Sequence, residues 1–478
     1  MSSSSITCAT SGCIVVLGNS FGTTYSGNQA PTATGDIGAN AAIYISDSAG
    51  TIIGGTEGTT PGGPCSGACN VIAVNEFGVS LVRDRGTQIY GNYFGSNRGG
   101  FTSNSGGANG RLSVGIAVRV AEDSSGARIG GSLPGQGNLM SARVRGVWVE
   151  ASNPVNTDVR VQGNRIGTTA NGLQQIAGGS GNSGVLVDGD GTDGSVVVGG
   201  DQPGEGNVIA FLGLDNPPGN AGVVASPEFR GVLTVSGNSI HSNGVQGIDL
   251  NRDGPTLNDL ILDLDEGPNG LQNFPELTSA SSESAVVSEL RVRGHMLGSI
   301  SPYHIELFWS ETCDLPDKAG GQKLIDAFDL PHGGESNVPF ERIVAMTPPV
   351  LRGHFVTATA TDLAGHTSEF SPCVKITKET RTVDPANAGS TIIKIENDDD
   401  IVPGDRLNLP GANTGETGMV QSVTPAGAVF PTAAAATITF AAPLQFAHPA
   451  GQTVVKLPPP GCGASLGRCQ LQRLVGRW

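Results

Sequence analysis

Short alternating runs of apolar and polar residues recur along the first half of the chain, each beginning after a small residue. They are Ala42-Ile43-Tyr44-Ile45, Gly78-Val79-Ser80-Leu81, Gly115-Ile116-Ala117-Val118, Gly146-Val147-Trp148-Val149, Gly184-Val185-Leu186-Val187, Gly222-Val223-Val224-Ala225 and Gly247-Ile248-Asp249-Leu250. Their starts are 36, 37, 31, 38, 38 and 25 residues apart. Apolar residues at period two lie on one face of a strand, and Gly and Asn fill the gaps without any helical period. The pattern predicts the coils of a solenoid, each adding one rung to stacked parallel sheets. Asn residues are expected to stack as ladders at the bends. A single coil cannot bury its apolar face, so it needs neighbours above and below.

A longer repeat overlies these strands. The hexapeptides Gly18-Asn19-Ser20-Phe21-Gly22-Thr23, Gly91-Asn92-Tyr93-Phe94-Gly95-Ser96, Gly163-Asn164-Arg165-Ile166-Gly167-Thr168 and Gly237-Asn238-Ser239-Ile240-His241-Ser242 are spaced 73, 72 and 74 residues apart. A second marker recurs as Ile53-Gly54-Gly55, Ile129-Gly130-Gly131 and Val198-Gly199-Gly200. A third recurs as Asn70-Val71-Ile72, Asn138-Leu139-Met140 and Asn207-Val208-Ile209. From about residue 285 the pattern changes. Segments such as His304-Ile305-Glu306-Leu307-Phe308 and Phe355-Val356-Thr357-Ala358-Thr359-Ala360 predict strands of a β-sandwich.

Composition narrows the class. Gly and Pro make up 101 of 478 residues, yet no Gly-X-Y period exists, so the chain is not collagen-like. With 37% hydrophobic and only 15% charged residues it can bury a core, which argues against disorder. No run of 18 apolar residues is present, so no membrane span is expected. A net charge of −16 argues against nucleic acid or an anionic membrane as partner. Met1–Thr7 has neither a basic start nor an apolar core, so it is no signal peptide. The first coil, near residue 13, lacks an evident cap, and the chain reads as a fragment of something larger.

Eight Cys stand at 8, 13, 65, 69, 313, 373, 462 and 469. Their spacing makes nearest-neighbour disulfides the simplest reading, with zinc as the rival for Cys65 and Cys69. Oxidised pairs imply an extracellular or periplasmic protein.

These residues resemble the right-handed parallel β-helix repeat proteins of bacterial surfaces and secretions. The resemblance covers about residues 10–280, through Gly247-Ile248-Asp249-Leu250 and Gly267–Pro275, which looks like the sequence closing many such solenoids. It implies an all-β fold: a right-handed parallel β-helix over 1–280, then a β-sandwich and a second small β module. Ala364–Ser371 looks like the last turn and strand of the immunoglobulin-like module that often follows these helices, here over 285–377, and Cys313–Cys373 would tie it. Residues 386–457 resemble a small β module found at the ends of secreted bacterial proteins, marked by Val402-Pro403-Gly404-Asp405 and Pro443–His448. Residues 458–478 read as a tail. The wider class includes pectate lyases, polygalacturonases, alginate-modifying enzymes, phage tailspikes and adhesins, so the fold alone assigns no activity.

Several clusters carry candidate chemistry. Asp249, Asn251, Asp253, Asn258, Asp259, Asp263, Asp265 and Glu266 form the densest acidic run. Its opening, Asp249-Leu250-Asn251-Arg252-Asp253-Gly254, matches the start of a calcium loop, since Ca²⁺ takes six to eight hard oxygens from alternate residues of a tight turn. The twelfth position is Leu260, so the run is no EF-hand; a solvated acidic turn is the other reading. Asp188, Asp190 and Asp193 form a second cluster, calcium site or Asp-Gly turn. Asp398–Asp400 is a charged turn.

If Gly184, Gly222 and Gly247 are aligned, Asp190, Glu228 and Asp253 lie six residues on. They would then stand on successive rungs about 4.8 Å apart. Such carboxylates fit the spacings of retaining and inverting glycosidases. Their like charges would split the pKa values into acid and base, or Ca²⁺ would neutralise them. His241, where other repeats carry Gly, is a candidate general base or an ordinary bend residue. Tyr44, Tyr90, Tyr93 and Trp148 are the few aromatic platforms. Arg230 and Arg252 are the basic side chains near the acidic run, where a lyase would place its base. No Gly-x-Ser-x-Gly elbow and no phosphate-binding Gly loop occur.

Two function classes follow. One is a secreted Ca²⁺-dependent hydrolase or lyase acting on polysaccharide, or on a small ester or lactone through a metal-polarised carbonyl. The other is a non-catalytic adhesin or glycan-binding scaffold.

Overall fold

In the computed structural model, the structure describes residues 14–30, 40–73, 76–103, 112, 114–151, 158–177, 181–189, 194–214, 220–244, 246–259, 266–298, 302–313, 319–331, 337–378, 380–396, 401–409, 416–425 and 435–457. They divide into two compact units. The first comprises residues up to Glu276 together with Met296–Val338 and Val356–Cys373; the second comprises Leu277–His295, Pro339–Phe355 and the chain from Val374. These limits run through the middle of the segment that the sequence pattern assigns to a sandwich.

In the first unit the chain winds through three parallel sheets of seven strands each, a parallel β-helix. The first sheet runs Val15–Val16, Ile52–Gly54, Gln88–Tyr90, Arg128–Gly130, Asp158–Gln162, Ser195–Gly199 and Val232–Ser236. The second runs Ser20–Phe21, Val71–Ile72, Tyr93–Phe94, Leu139–Met140, Arg165–Ile166, Val208–Ala210 and Ser239–His241. The third runs Ala41–Ser46, Phe77–Val82, Val114–Ala121, Ala142–Glu150, Ser183–Asp188, Val223–Ala225 and Ile248–Leu250. The alternation read from sequence becomes interior stacking. Val79 and Leu81, Val118 and Val120, Val147 and Val149, Val185 and Val187, and Val223 and Ala225 are in register on successive rungs and buried. Each apolar side chain removed from water this way contributes roughly 1.5–3 kcal/mol before entropy is subtracted.

The two Asn markers share one column. Asn19, Asn70, Asn92, Asn138, Asn164, Asn207 and Asn238 form a continuous ladder in which the side-chain oxygen of each accepts from the preceding member. Six of these seven are buried, and every buried amide must find partners. The second marker explains itself beside the ladder. Gly199 has φ +87°, and a Cβ there would run into the carbonyl oxygen of Ser236 and the amide of Asn238, so only Gly fits.

The C-terminal end of the solenoid is capped within the same unit. Phe308, Ala319 and Phe370 join the solenoid core beside Ile240 and Ile248. Ile240 forms a bridge to Gly321, and Gly247 donates its N–H to Ala319. Asn269 ties Leu233 to Thr367. Tyr303–Ser310 and Lys323–Leu330 form an antiparallel pair, with Phe355–Thr361 on the other side of Tyr303–Ser310.

In the second unit Glu276–Ser281 pairs in parallel with Val374–Thr377, and Val286–Leu297 follows beside it. Six further strands, Thr380–Arg381, Thr453–Leu457, Arg406–Leu409, Glu416–Thr424, Ala436–Phe440 and Ile392–Ile395, form a separate sheet in that order around its own core. A bridge from Thr382 to Ile395 joins its two edges.

Cys65–Cys69 and Cys313–Cys373 are disulfides, which settles the choice between zinc and disulfide at Cys65 and Cys69. The other four Cys lie outside the described residues. Among the described residues no helix is long and apolar enough to cross a membrane.

Candidate functional site

Three features of the first unit carry chemistry: a cleft on the second sheet, a buried carboxyl pair at the end of the third, and a mixed His–carboxylate group at the cap. The cleft holds about 320 Å³. Its floor is built from the outward residues of successive rungs, Tyr93, Leu139, Arg165 and Val208. Loops entering the second sheet form its walls, among them Thr59–Gly62 beside the Cys65–Cys69 disulfide and Ser132–Gly135. The Tyr93 hydroxyl donates to the Gly63 carbonyl, which fixes the ring. Among the described residues no Asp or Glu lines the cleft, and Arg165 is the single charged side chain there. The Arg165 Nε is buried and has no hydrogen-bond partner among the described residues. Sequence reading missed this cleft because it comes from loop juxtaposition across coils; Arg165 was visible only as one letter of a repeat.

The carboxyl pair begins with Asp249. Its neighbours Ile248 and Leu250 point into the core, so Asp249 faces the outer side of the third sheet, in register with Val224. It is nevertheless only 1% exposed. Backbone N–H groups of Gly254, Asp253 and Arg252 point at it, but burial outweighs them and pushes its pKa up to about 7, helped by the charge of Asp253. Its Oδ1 has no hydrogen-bond partner among the described residues. Glu369, 4% exposed, accepts the N–H of Leu250 at 2.8 Å and of Thr256 at 2.9 Å. Burial, reinforced by the charges of Asp249 and Asp253, pushes it up to about 8. Glu369 therefore closes the 250–256 loop. No local pattern marks that role, because the partners are more than a hundred residues apart.

The other residues singled out from sequence fall as follows. Gly184 lies within Ser183–Asp188, and Gly222 and Gly247 directly precede Val223–Ala225 and Ile248–Leu250, three strands that are in register. Glu228 is exposed in the turn after its strand. Asp253 is exposed and accepts from Asn251 at 2.9 Å. Asp259 exchanges hydrogen bonds with Asn273. Asp190, Asp193, Asp263, Asp265 and Asp398–Asp400 lie outside the described residues. The charge of Asp253 raises Asp249, and the charges of both raise Glu369. His241 packs edge-on against Phe211 at 5.9 Å, contacts Ser242 Oγ at 3.0 Å, and has its pKa lowered by burial. Trp148 is flanked by the guanidinium groups of Arg119 at 5.5 Å and Arg145 at 5.2 Å, so both of these cations lie against the indole. Tyr44 stands 60% exposed on the first rung of the third sheet.

Among the described residues, the three ligating side chains that converge within 4.8 Å are Asp201, His304 and Glu306. None was singled out as a ligand from sequence, and they stand apart from the acidic run where calcium was expected. Glu306 is 2% exposed, and burial pushes its pKa up to about 7. A scan against family models and a search of curated proteins find no match to this chain.

Proposed function

We propose that this chain is an extracytoplasmic glycan-binding solenoid that holds a short acidic saccharide in the cleft of the second sheet. The observation that carries this reading is Arg165, the lone charge among the described residues that line the cleft, with a buried Nε that has no partner among them. A guanidinium presents donors in a fork that matches a carboxylate. The apolar floor of Leu139 and Val208 suits the C–H faces of a sugar, and the Thr and backbone groups of the walls suit its hydroxyls. The disulfides agree with an oxidising compartment.

A carboxylate-driven hydrolase, the other reading raised by sequence, has less behind it. Glu228 and Asp253 are exposed, and Asp249 and Glu369 are buried against backbone N–H groups.

The test is calorimetric titration with oligogalacturonate and oligoalginate, with neutral oligosaccharides as comparators. A charge-assisted contact of about 1.5–3 kcal/mol predicts that Arg165→Gln weakens acidic-oligosaccharide binding about tenfold to a hundredfold. Binding that is unchanged in the variant, or no binding by the parent protein, overturns the reading.

A further inference from the structure

The geometry points to a divalent transition-metal site formed by Asp201, His304 and Glu306, of the class that takes Zn²⁺, stapling the last coils of the solenoid to its cap. It does not depend on the glycan cleft. Asp201 lies in the turn after Ser195–Gly199, and Gly199 pairs with Ser236 on the next rung. His304 and Glu306 are two residues apart on Tyr303–Ser310, so they share a face of that strand. One ligand atom from each of the three lies within 4.8 Å of the others.

The surrounding contacts orient these groups. Across the strand pair His304 stands opposite Asp329, and its Nδ1 is 2.8 Å from Asp329 Oδ1. That contact fixes the ring and leaves Nε2 as the available donor, the arrangement that a carboxylate hydrogen-bonded to the far ring nitrogen imposes on a metal-binding His. Glu306 is held by the Gly237 N–H, at 2.9 Å from Oε1 and 3.2 Å from Oε2. Its buried carboxylate is therefore aimed rather than free to turn.

The charge count calls for a cation. The Ser236 hydroxyl faces both Asp201 Oδ1 and Glu306 Oε1, but a hydroxyl has one proton and can donate to only one of them. Among the described residues neither carboxylate is paired with Lys or Arg; the other group on them is His304. One imidazole and two carboxylates form a donor set of nitrogen and oxygen, which suits Zn²⁺ better than the all-oxygen shell of Ca²⁺. Asp201 is exposed, so the fourth position opens to water.

The experiment uses the full chain stripped with EDTA and desalted. Calorimetry with ZnCl₂, with MgCl₂ and CaCl₂ as controls, is expected to show one equivalent bound, and Co²⁺ should give the visible absorption of a low-coordinate site. Asp201→Asn, at an exposed position, and His304→Gln should each weaken Zn²⁺ binding at least about tenfold, while each variant keeps a cooperative melt in EDTA. A smaller loss in either variant, or no stoichiometric Zn²⁺ binding by the parent chain, overturns the site.

Discussion

Replacing Glu369 by glutamine should flatten the way this protein loses stability as pH rises. Glu369 is buried against the 250–256 loop and pushed up to about 8, from an ordinary value of 4.5. A carboxyl raised in the folded state keeps its proton longer than in the unfolded chain. Its full contribution is therefore present below about pH 4.5 and is lost as pH climbs toward 8. Each proton held only by the folded state gives a slope of about 1.4 kcal/mol per pH unit. Across that interval the ceiling is on the order of 5 kcal/mol, a large share of a typical domain stability. Asp249, raised from 3.8 to about 7, acts with the same sign. Because the charge of Asp249 helps to raise Glu369, their effects are less than additive.

Glutamine cannot ionise, but its amide nitrogen would face one of the two N–H donors that the carboxylate now accepts. Glu369→Gln should thus cost about 1–3 kcal/mol at pH 5 and lose less than the parent protein on going to pH 8. Urea titrations followed by tryptophan fluorescence from pH 5 to 8.5, in EDTA, measure this; Trp148 and Trp309 both lie in the first unit. Parallel stability curves for parent and variant, or a parent protein that gains stability with pH, would refute the reasoning.

Two further perturbations test the solenoid and its cap. Asn164 is fully buried; its Oδ1 accepts the Asn138 backbone N–H at 3.0 Å, and its Nδ2 donates to Ile129 at 2.8 Å and Asn207 at 3.0 Å. Asn164→Ala strands the Asn138 N–H and the Ile129 carbonyl, while Asn207 Oδ1 keeps the Asn164 backbone N–H, and should cost roughly 2–6 kcal/mol by denaturant titration, at 1–3 kcal/mol for each stranded group; a loss below 1 kcal/mol would mean the ladder relaxes. The Cys313–Cys373 disulfide closes a loop of 60 residues, so the Cys313→Ser, Cys373→Ser double variant should lose about 4 kcal/mol. The variant should fall below the parent under oxidising conditions and match it once both are reduced, since reduction also opens Cys65–Cys69 in each.

Much of the solenoid was legible in the chain because its contacts are between neighbouring coils. The Asn markers come back every 68–74 residues, and each stacks on a partner only 22–51 residues away. The period-two strands therefore state both which face is buried and which rung lies next. One detail needed three dimensions: the first and third markers share a column, a long coil and a short one making each repeat. The chemistry was far less legible. The acidic run drew notice by density, yet the structure pairs Asp253 with Asn251 and Asp259 with Asn273. What distinguishes Asp249 is burial beside Glu369, more than a hundred residues on.

The repeat, the inward faces and the lack of a long apolar run can all be read along the chain. Tertiary structure alone decided the end of the solenoid. There Phe308 and Phe370 cover the core, Glu369 closes a loop, and His304 and Glu306 meet Asp201. The physical reason is range. A repeating coil encodes its own neighbours through periodicity, whereas a cap is made once, from segments whose only shared property is that folding brings them to the same place.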